Sequence, residues 1–282
     1  MTTESSRLLR AGFLLTAALL FSAATAAPRG NAPKKPLAPK AEGITRLVTY
    51  NVGVFNKYIA DDYPLITAMM QEIDADAVCM NELDSCTNRT GRVFQLGHIA
   101  ELLGGWDVNY GAAMTFDGGK YGVGIVSREK ALRTFSVVLE KGAGAEPRAL
   151  VVSEFERFVL ATAHLDHVSA EQQAIQAATI NRIMQERYGK STKPVFLGGD
   201  MNATPDSETL RILRRAWKVL TPADPTYPSN DPRRCIDYIF QLDNGARCGI
   251  VQARVLDRFE AGDVKKASDH LPVVLDIRLD GE

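Results

Sequence analysis

From residue 44 onward, short runs of apolar and β-branched residues alternate with stretches in which apolar residues recur every three or four positions. The short runs predict strands and the longer spacing predicts helices. The predicted strands are 44–52, 77–81, 122–127, 149–155, 158–163, 195–197, 236–240, 250–256 and 271–277. The predicted helices are 63–73, 94–103, one that begins at Ser169, and one that Asp206 or Ser207 caps on the way to Trp217. Without an internal repeat or second linker, this alternation indicates one α/β domain.

The first 42 residues do not share this pattern. Arg7 and Arg10 precede an apolar run at 11–21, and Ala24-Thr25-Ala26 then fits a cleavage site of the A-x-A type. We therefore predict a signal peptide at 1–27, a flexible leader rich in Pro, Ala and Lys at 28–42, and the folded domain at 43–282. A membrane anchor is the alternative, but the run is short for a bilayer. The expected location is secreted or periplasmic.

Composition and charge are those of a soluble globular protein. Hydrophobic residues make up 45% of the 282 residues and charged residues 24%, with a formal net charge of -1. No global positive field would draw the chain to nucleic acid or to an anionic membrane. This argues against a tight nucleic-acid binder, but not against an enzyme that meets phosphate through a bound cation. We expect a monomer without a stable protein partner.

Polar residues repeatedly stand at an end of a predicted strand. They are Asn51, Glu82, His164, Asp200, Asn202, Asp237, Asp269 and His270. The sheet of an α/β protein holds its strand ends rigidly while they face solvent, so functional sites assemble there. Any one of these residues alone would be read as a turn former or a cap. The repetition across one domain favours a site.

The residue types narrow the chemistry. Carboxylate and amide oxygens are hard ligands that suit Mg²⁺, with Mn²⁺ or Ca²⁺ as alternatives. The sequence has no H-E-x-x-H or C-x-x-C zinc motif, no G-x-S-x-G nucleophile elbow, and no P-loop or G-x-G-x-x-G after a strand. The site class that remains is an acidic metal site with histidines able to move protons.

Seven short motifs follow one another in a recognisable order. They are TYNV (49–52), NELD (81–84), YGVGIVS (121–127), TAHL (162–165), GGDMN (198–202), IDYI (236–239) and SDHLP (268–272). In this order the chain resembles the endonuclease/exonuclease/phosphatase superfamily, also called the deoxyribonuclease I-like fold, over about residues 43–280. The resemblance implies a four-layer α/β sandwich, in which helices flank two central mixed β-sheets and the site lies at one edge. It makes 43–282 a catalytic domain.

The resemblance also implies roles for the matching residues. Glu82 would hold the metal with Asn51 beside it, and Asp269 would help to bind a metal. Arg148 matches a position where the family often has an arginine that contacts phosphate. His167 would touch substrate, although it serves equally well as a residue at a helix start.

Five residues would carry the reaction. The resemblance implies that Asp200 orients or deprotonates the attacking water, and that Asn202 hydrogen-bonds the phosphate. His270 would contact the phosphate or act as base, with Asp237 fixing its tautomer. His164 would donate a proton to the leaving oxygen. Some family members have a tyrosine there, so the histidine predicts a more acidic pH dependence.

Several further residues have plain structural readings. His98 is a surface or packing histidine of its helix, and Gly118-Gly119 is a hairpin turn rather than a phosphate cradle. Arginine and lysine pairs near the motifs are solvated charges or substrate contacts, and the sequence does not decide between the two. These pairs are Arg89 with Arg92, Arg233 with Arg234, and Lys265 with Lys266.

The expected function is divalent-metal-dependent hydrolysis of a phosphate ester by direct attack of water, as a phosphodiesterase or nuclease. The substrate would be nucleic acid, a nucleotide or a phospholipid headgroup. The alternative on the same site is a phosphomonoesterase or a lipid-headgroup phosphodiesterase. A binding protein on an inactive enzyme scaffold is a third hypothesis, but every expected polar position is filled.

The chain has four cysteines, at 79, 86, 235 and 248. An exported protein can form disulfides. A two-residue turn at Asn244-Gly245 would place Cys248 opposite Gln241, too far from Cys235 for a bond that needs Cα atoms within about 7 Å. Cys86 and Cys235 both follow site positions, so we take them as the candidate pair.

Overall fold

Two six-stranded mixed sheets form the centre of the computed structural model, which describes residues 37–142 and 146–279. The strands are β1 (Ile44–Asn51), β2 (Ala77–Ser85), β3 (Asp107–Phe116), β4 (Gly119–Ser127), β5 (Arg133–Leu139), β6 (Arg148–Glu154), β7 (Val159–His164), β8 (Val195–Asp200), β9 (Trp217–Val219), β10 (Asp237–Leu242), β11 (Gly249–Val255) and β12 (Val273–Arg278). The first sheet has the order β11-β12-β1-β2-β4-β3, and the second has the order β5-β6-β7-β8-β10-β9.

Five α-helices accompany the sheets in the described part of the chain. They are α1 (Tyr63–Ile73), α2 (Gln95–Leu102), α3 (Ala170–Tyr188), α4 (Glu208–Leu213) and α5 (Val264–Ala267). Ser169 caps α3 and Ser207 caps α4, each by accepting a hydrogen bond from the backbone N–H three residues on. None of these helices has both the length and the apolarity that a membrane span needs.

Three apolar clusters hold the layers together. One joins α1 and α2 to the first sheet, with Ile66, Met70 and Ile99 fully buried. Another joins α3 and α4 to the second sheet. The third lies between the two sheets and contains Leu47 and Phe196. Burial of a side chain of this size contributes roughly 1.5–3 kcal/mol. The result is the predicted α/β fold with two central mixed sheets flanked by helices.

Each sheet contains one parallel pair among antiparallel neighbours. In the first sheet β1 pairs with β2 so that Asn51 lies opposite Asn81. In the second sheet β7 pairs with β8 so that His164 lies opposite Asp200. Because parallel strands end at the same edge, each pair delivers two polar residues to one place.

Four described elements were not predicted: β3, β5, β9 and α5. In β5 exposed and half-buried residues alternate over most of the strand, and the apolar Val138 is 61% exposed. The strand therefore has no continuous apolar face from which the sequence could predict it. The tight turn at Asp117-Gly118, with positive φ at both residues, joins β3 to β4 and confirms a hairpin close to the expected Gly118-Gly119 position.

The signal-peptide prediction and most of the leader lie outside the described residues. Residues 37–42 of the predicted leader are described, and they contact the domain. Lys40 Nζ lies 2.6 Å from Asp76 Oδ1, and the buried Arg46 donates to the carbonyl oxygen of Ala38 at 3.0 Å. Leu37 packs against the cluster around α1 and α2.

The predicted disulfide between Cys86 and Cys235 is not formed, since all four cysteines are free. Cys235 is buried with Sγ 4.0 Å from the carbonyl oxygen of Pro222, whereas Cys86 is exposed. Cys248 Sγ lies 3.5 Å from Gln241 Oε1, so these two residues are in contact as the turn predicted. However, β10 and β11 belong to different sheets, so this turn does not form a hairpin.

Candidate active site

The strand ends of both sheets open into one pocket of about 570 Å³. Nine of the ten site residues predicted from the sequence are Asn51, Glu82, Arg148, His164, His167, Asp200, Asn202, Asp269 and His270. All of these except Asn51 line the pocket, and Asn51 lies directly beneath Glu82 and Asp200. The tenth, Asp237, lies behind His270 and holds its ring. The fold therefore brings all ten predicted residues together.

Asn81 joins the two sheets beneath the pocket. Its Oδ1 accepts the backbone N–H of Asp200 at 2.9 Å, and its Nδ2 lies 3.3 Å from both Thr162 Oγ1 and the carbonyl oxygen of Ala163. The residue is fully buried, so losing it would leave several polar groups without partners. The sequence placed Asn81 in a motif but gave it no role of its own.

A β-bulge turns Glu82 towards the pocket. The pairing between β2 and β4 shifts register between Asn81 and Leu83, and Glu82 has a φ of 57°. A bulge places an extra residue out of the ladder and re-aims its side chain. Without it, the carboxylate would follow the alternation of the strand.

Asp237, His270 and Asp200 form a buried line of polar groups. His270 Nδ1 lies 2.9 Å from Asp237 Oδ2, and His270 Nε2 lies 3.6 Å from Asp200 Oδ2. Thr226 Oγ1 donates to Asp237 Oδ2 at 2.5 Å. A carboxylate at Nδ1 fixes the ring with Nδ1–H donating to Asp237, so Nε2 faces Asp200 and the pocket.

The charges of this line set its protonation. Burial lowers the pKa of His270, but the carboxylates of Asp237 and Asp200 outweigh it and raise the pKa to about 10. Burial raises the pKa of Asp200 to about 7, and the Asp237 carboxylate raises it as well, against the opposing charge of His270. At neutral pH, His270 is thus a cation and Asp200 is poised to accept a proton.

The same three side chains can each offer one metal-ligand atom, all within 4.8 Å of one another. However, Nδ1 of His270 and Oδ2 of Asp237 already bond to each other. Metal ligation through these two atoms would break this hydrogen bond, whereas Oδ1 of Asp237 is buried without a hydrogen-bond partner among the described residues. The hydrogen-bonded pair itself suits the holding and moving of protons.

The side-chain amide of Asn51 lies between Glu82 and Asp200, beside the carboxylate that the resemblance implies as a metal ligand. Its Nδ2 donates to Glu82 Oε1 at 3.0 Å and to Asp200 Oδ2 at 3.2 Å. Its Oδ1 accepts the backbone N–H of Gly53 at 3.1 Å. An amide nitrogen has no lone pair to give a metal. Asn51 in this orientation positions the two carboxylates.

Glu82 and Asp269 are the carboxylates that fit a divalent cation. Both line the pocket, and Asp269 Oδ1 is buried without a hydrogen-bond partner among the described residues. Such an atom is costly unless something binds it. Oxygen ligands of this kind suit Mg²⁺.

Lys57 is a pocket residue that the sequence analysis missed. Its Nζ lies 2.7 Å from Asp269 Oδ2. Burial lowers the pKa of Lys57, but its hydrogen bond to Asp269 and the charges of Asp269 and Glu82 raise the pKa overall. The lysine belongs to an exposed loop after β1, and no strand-end pattern marks such a position.

Arg148 is buried between two histidines. Its Nη1 lies 3.3 Å from Nδ1 of His164, and its Nη2 lies 3.0 Å from Nδ1 of His167. A guanidinium only donates, so both Nδ1 atoms accept and neutral His164 carries its proton on Nε2. Burial lowers the pKa of His164 well below its ordinary value, and the charge of Arg148 lowers it further. His164 is therefore neutral.

Asn202 and Ser268 complete the site. Nδ2 of Asn202 lies 2.9 Å from His164 Nε2 and donates to the carbonyl oxygen of Leu165 at 3.1 Å, and the backbone N–H of Asn202 donates to Asp200 Oδ1 at 2.8 Å. Ser268 is fully buried; its Oγ donates to the carbonyl oxygen of Asn51 at 2.6 Å and accepts the backbone N–H of His270 at 3.1 Å. Both of its hydrogen bonds are structural.

The sequence left the arginine and lysine pairs open as either solvated charges or substrate contacts. Arg89 and Arg234 line the pocket, whereas Arg92, Arg233, Lys265 and Lys266 do not. His98 packs edge-on against Tyr63 at 4.7 Å between ring centroids, so the packing interpretation of this histidine is confirmed.

The two-sheet α/β sandwich gathers carboxylates, amides and histidines at one edge, and these residues rather than the fold alone indicate a hydrolytic site. The model of the Endonuclease/Exonuclease/phosphatase family matches residues 48–270, and the chain belongs to this family. No curated protein matches the sequence.

Solved structures show the same fold at low sequence identity. The mannosyl-6-phosphatase of Bacteroides thetaiotaomicron is 20% identical, with a TM-score of 0.66 over 83% of this chain and 99% of that one. TDP2 of D. rerio, in complex with a single-stranded DNA product, is 16% identical, with a TM-score of 0.64 over 83% and 98%. The human Nocturnin catalytic domain with bound sulfate is 17% identical, with a TM-score of 0.62 over 83% and 93%.

Proposed function

We propose that this protein hydrolyses a phosphate ester with a divalent cation, by direct attack of water on phosphorus. The observation that supports this most strongly is the joint position of Asp200 and His270, with Nε2 and Oδ2 3.6 Å apart in a pocket that Glu82 and Asp269 also line. A phosphate there would meet a cationic ring and a base together.

Glu82 and Asp269 would hold the cation, which we take to be Mg²⁺, with Mn²⁺ or Ca²⁺ as alternatives. When bound, the ion would stabilise the negative charge that gathers on the phosphate oxygens. The presence of other phosphate-ester proteins among the structural neighbours, a mannosyl-6-phosphatase and a DNA-product complex, supports the reaction class.

The side chains of the pocket would divide the remaining work. Asp200 accepts a proton from the attacking water, and His270 donates a hydrogen bond from Nε2 to a phosphate oxygen. Asp237 holds the His270 ring and stabilises its charge. His164 is neutral, so its Nε2–H serves as a hydrogen-bond donor to the departing oxygen rather than as an imidazolium acid. Positioned groups of this kind each contribute about 10²- to 10⁴-fold.

An activity screen tests the proposal. Purified protein would be incubated with a diester such as bis-p-nitrophenyl phosphate and with several phosphate monoesters, with Mg²⁺ or with EDTA. Hydrolysis that requires the cation and disappears in Asp200→Asn is expected. Turnover that is equal in EDTA would count against metal dependence. No turnover of any ester would count against the reaction itself.

A further inference from the structure

One side of the pocket has no role in the reaction described above. It is formed by Arg89, Met114, Phe116 and Tyr121, which we call the Arg89 wall. Arg89 lies in a short 3₁₀ turn (Asn88–Thr90) after β2, and the other three residues lie on β3 and β4. Glu82 lines the same pocket as Arg89 and Tyr121, so the wall and the proposed cation site share one pocket.

A buried carboxylate holds Arg89 in place. Nε donates to Asp84 Oδ2 at 2.7 Å and Nη2 donates to Asp84 Oδ1 at 2.9 Å, which is a two-pronged ion pair. Asp84 is fully buried, and Thr87 Oγ1 also donates to it at 2.6 Å. The guanidinium is therefore fixed before any ligand arrives, and its charge is compensated.

Hydrogen bonds lock the turn of Arg89 to the β3–β4 hairpin. The backbone N–H of Arg89 donates to Asp117 Oδ2 at 2.7 Å, and that of Asn88 donates to the carbonyl oxygen of Asp117 at 2.9 Å. Gly118 has a φ of 77°, and a Cβ at Gly118 would lie 2.8 Å from Asn88 Nδ2. The two loops thus behave as one preformed surface.

This surface is aromatic, with the Phe116 and Tyr121 ring centroids 6.5 Å apart and the ring planes at 60° to each other. Cζ of Arg89 lies 4.6 Å from the centroid of the Phe116 ring and 5.8 Å from that of Tyr121. The Phe116 side chain is 36% exposed although it lines the pocket. An arginine that lies over an aromatic ring presents the outer face of its planar guanidinium to a further ring.

The charges of the pocket indicate the size of the ligand. Four lysine and arginine side chains line it, and Lys57, Arg89 and Arg148 are each paired with a carboxylate. Long nucleic acid is bound through a track of basic groups that neutralise successive phosphates, and three compensated charges do not form one. A pocket of about 570 Å³ has the size of a small-molecule site.

We propose that the Arg89 wall is a specificity site for a planar ring, and that the substrate is a small nucleotide ester whose base stacks on Phe116 and Arg89. The proposal rests on the proposed function, because the substrate phosphate must lie at Asp200 and His270. It adds a recognition element for the organic part of the ester.

Binding can be measured apart from turnover. In an Asp200→Asn background with Mg²⁺, calorimetric titration with AMP and with ribose 5-phosphate compares the same phosphate with and without a base. AMP is expected to bind about tenfold more tightly, as stacking of one base on an aromatic side chain allows. Mannose 6-phosphate is the third ligand, because a sugar ring can also pack on an aromatic face.

Two variants and a control make the test specific. Phe116→Ala should remove the advantage of AMP and leave ribose 5-phosphate unchanged. Arg89→Lys keeps a charge opposite Asp84 but loses the planar group, so it should lower AMP affinity several-fold. Phe94→Ala is the matched control, because Phe94 is also 36% exposed but does not line the pocket.

Equal binding of AMP and ribose 5-phosphate would overturn the proposal, as would AMP binding that Phe116→Ala does not change. Tighter binding of mannose 6-phosphate than of AMP would also overturn it and would make the wall a hexose site. Failure of the proposed function has a different signature, since the unsubstituted protein would then hydrolyse no ester whichever ligand binds.

Discussion

Nη1 of Arg148 donates to Nδ1 of His164 across 3.3 Å in the interior of the protein. The contact makes Nδ1 the acceptor and leaves the Nε2 proton facing Asp200 Oδ2 at 3.5 Å, while Asn202 Nδ2, 2.9 Å from Nε2, is itself a donor that bonds the carbonyl oxygen of Leu165. A buried cation beside an imidazole also opposes its protonation. The family resemblance implies that His164 donates a proton to the leaving oxygen, and in this geometry the group that would face that oxygen is the Nε2–H of a neutral ring.

Replacing Arg148 should therefore raise the pKa of His164. In Arg148→Gln the opposing charge is gone, so the ring gains its proton at a higher pH, although burial still disfavours the charged form. Nitrogen-detected NMR of the histidine rings against pH measures the pKa of His164. His98 is the internal control, because it packs on Tyr63 and is far from Arg148 in the sequence. A wild-type His164 that is charged at pH 7, or protonated on Nδ1, would contradict the assignment.

Activity should be bell-shaped in pH. Asp200 must be deprotonated, so the rate should rise as pH passes about 7, and His270 must be protonated, so the rate should fall as pH approaches about 10. The charge of Asp237 raises both pKa values. Asp237→Asn should therefore move both limbs of kcat/KM to lower pH. Asp243→Asn, at an exposed position, is the control. If both limbs of the pH profile stay in place in Asp237→Asn, the charge of Asp237 does not act on Asp200 and His270 as proposed.

Two substitutions should change metal affinity in opposite directions. Glu82→Gln removes a ligand charge while keeping shape, and should weaken Mg²⁺ binding by at least about tenfold. Lys57→Gln removes the ammonium 2.7 Å from Asp269 Oδ2 and should strengthen binding, because the cation no longer competes with it. Calorimetric titration with Mg²⁺ measures both, and Glu101→Gln on α2 serves as the neutral reference. Identical affinities for all four proteins would remove Glu82 and Asp269 from the metal site.

The N-terminus gives a prediction independent of the site. If residues 1–27 are a signal peptide, exported protein should begin near Ala27 or Pro28, after the Ala24-Thr25-Ala26 sequence. N-terminal sequencing of material from the periplasm or medium decides this. Intact Met1 in that material would argue against cleavage.

The sequence was informative wherever one apolar face or one strand end defined the element. β1, α1 and β7 have buried residues in an unbroken or regular pattern, and their bounds agree with the predictions within one or two residues. Eight of the ten site residues were found because each stands at an end of a predicted strand, where an α/β sheet holds side chains rigidly. Elements with little burial, such as β5, gave no such signal.

The rest depends on contacts that no local pattern encodes. Lys57 lies on a loop and meets Asp269 212 positions later in the chain. The turn at Asn244-Gly245 resembles a hairpin, but β10 pairs with β8 and β9, whereas β11 pairs with β12 in the other sheet. The orientation of Asn51 follows from the N–H of Gly53 and from two carboxylates at distant positions. Tertiary context decided each of these.

The last prediction separates direct attack of water from a covalent intermediate. Ser268 is the hydroxyl nearest to His270 in the sequence, but it is fully buried and both of its hydrogen bonds are structural. An activated nucleophile needs an exposed oxygen beside a base. Ser268→Ala should therefore keep most of the activity and lower the free energy of unfolding by about 1–3 kcal/mol, the cost of leaving buried partners unmade.

His270→Ala and Asp200→Asn should behave in the opposite way, each losing about 10²-fold or more of the rate.

Single-turnover reaction in ¹⁸O-water, with mass spectrometry of product and protein, then decides the mechanism. Direct attack places one ¹⁸O in the released phosphate group and leaves the protein mass unchanged throughout. A phosphorylated protein, or an inactive but folded Ser268→Ala beside an active Asp200→Asn, would establish a covalent route instead. Denaturant unfolding of each variant separates loss of stability from loss of activity. Ser268→Ala should lower the free energy of unfolding with little effect on the rate, whereas Asp200→Asn should chiefly lower the rate.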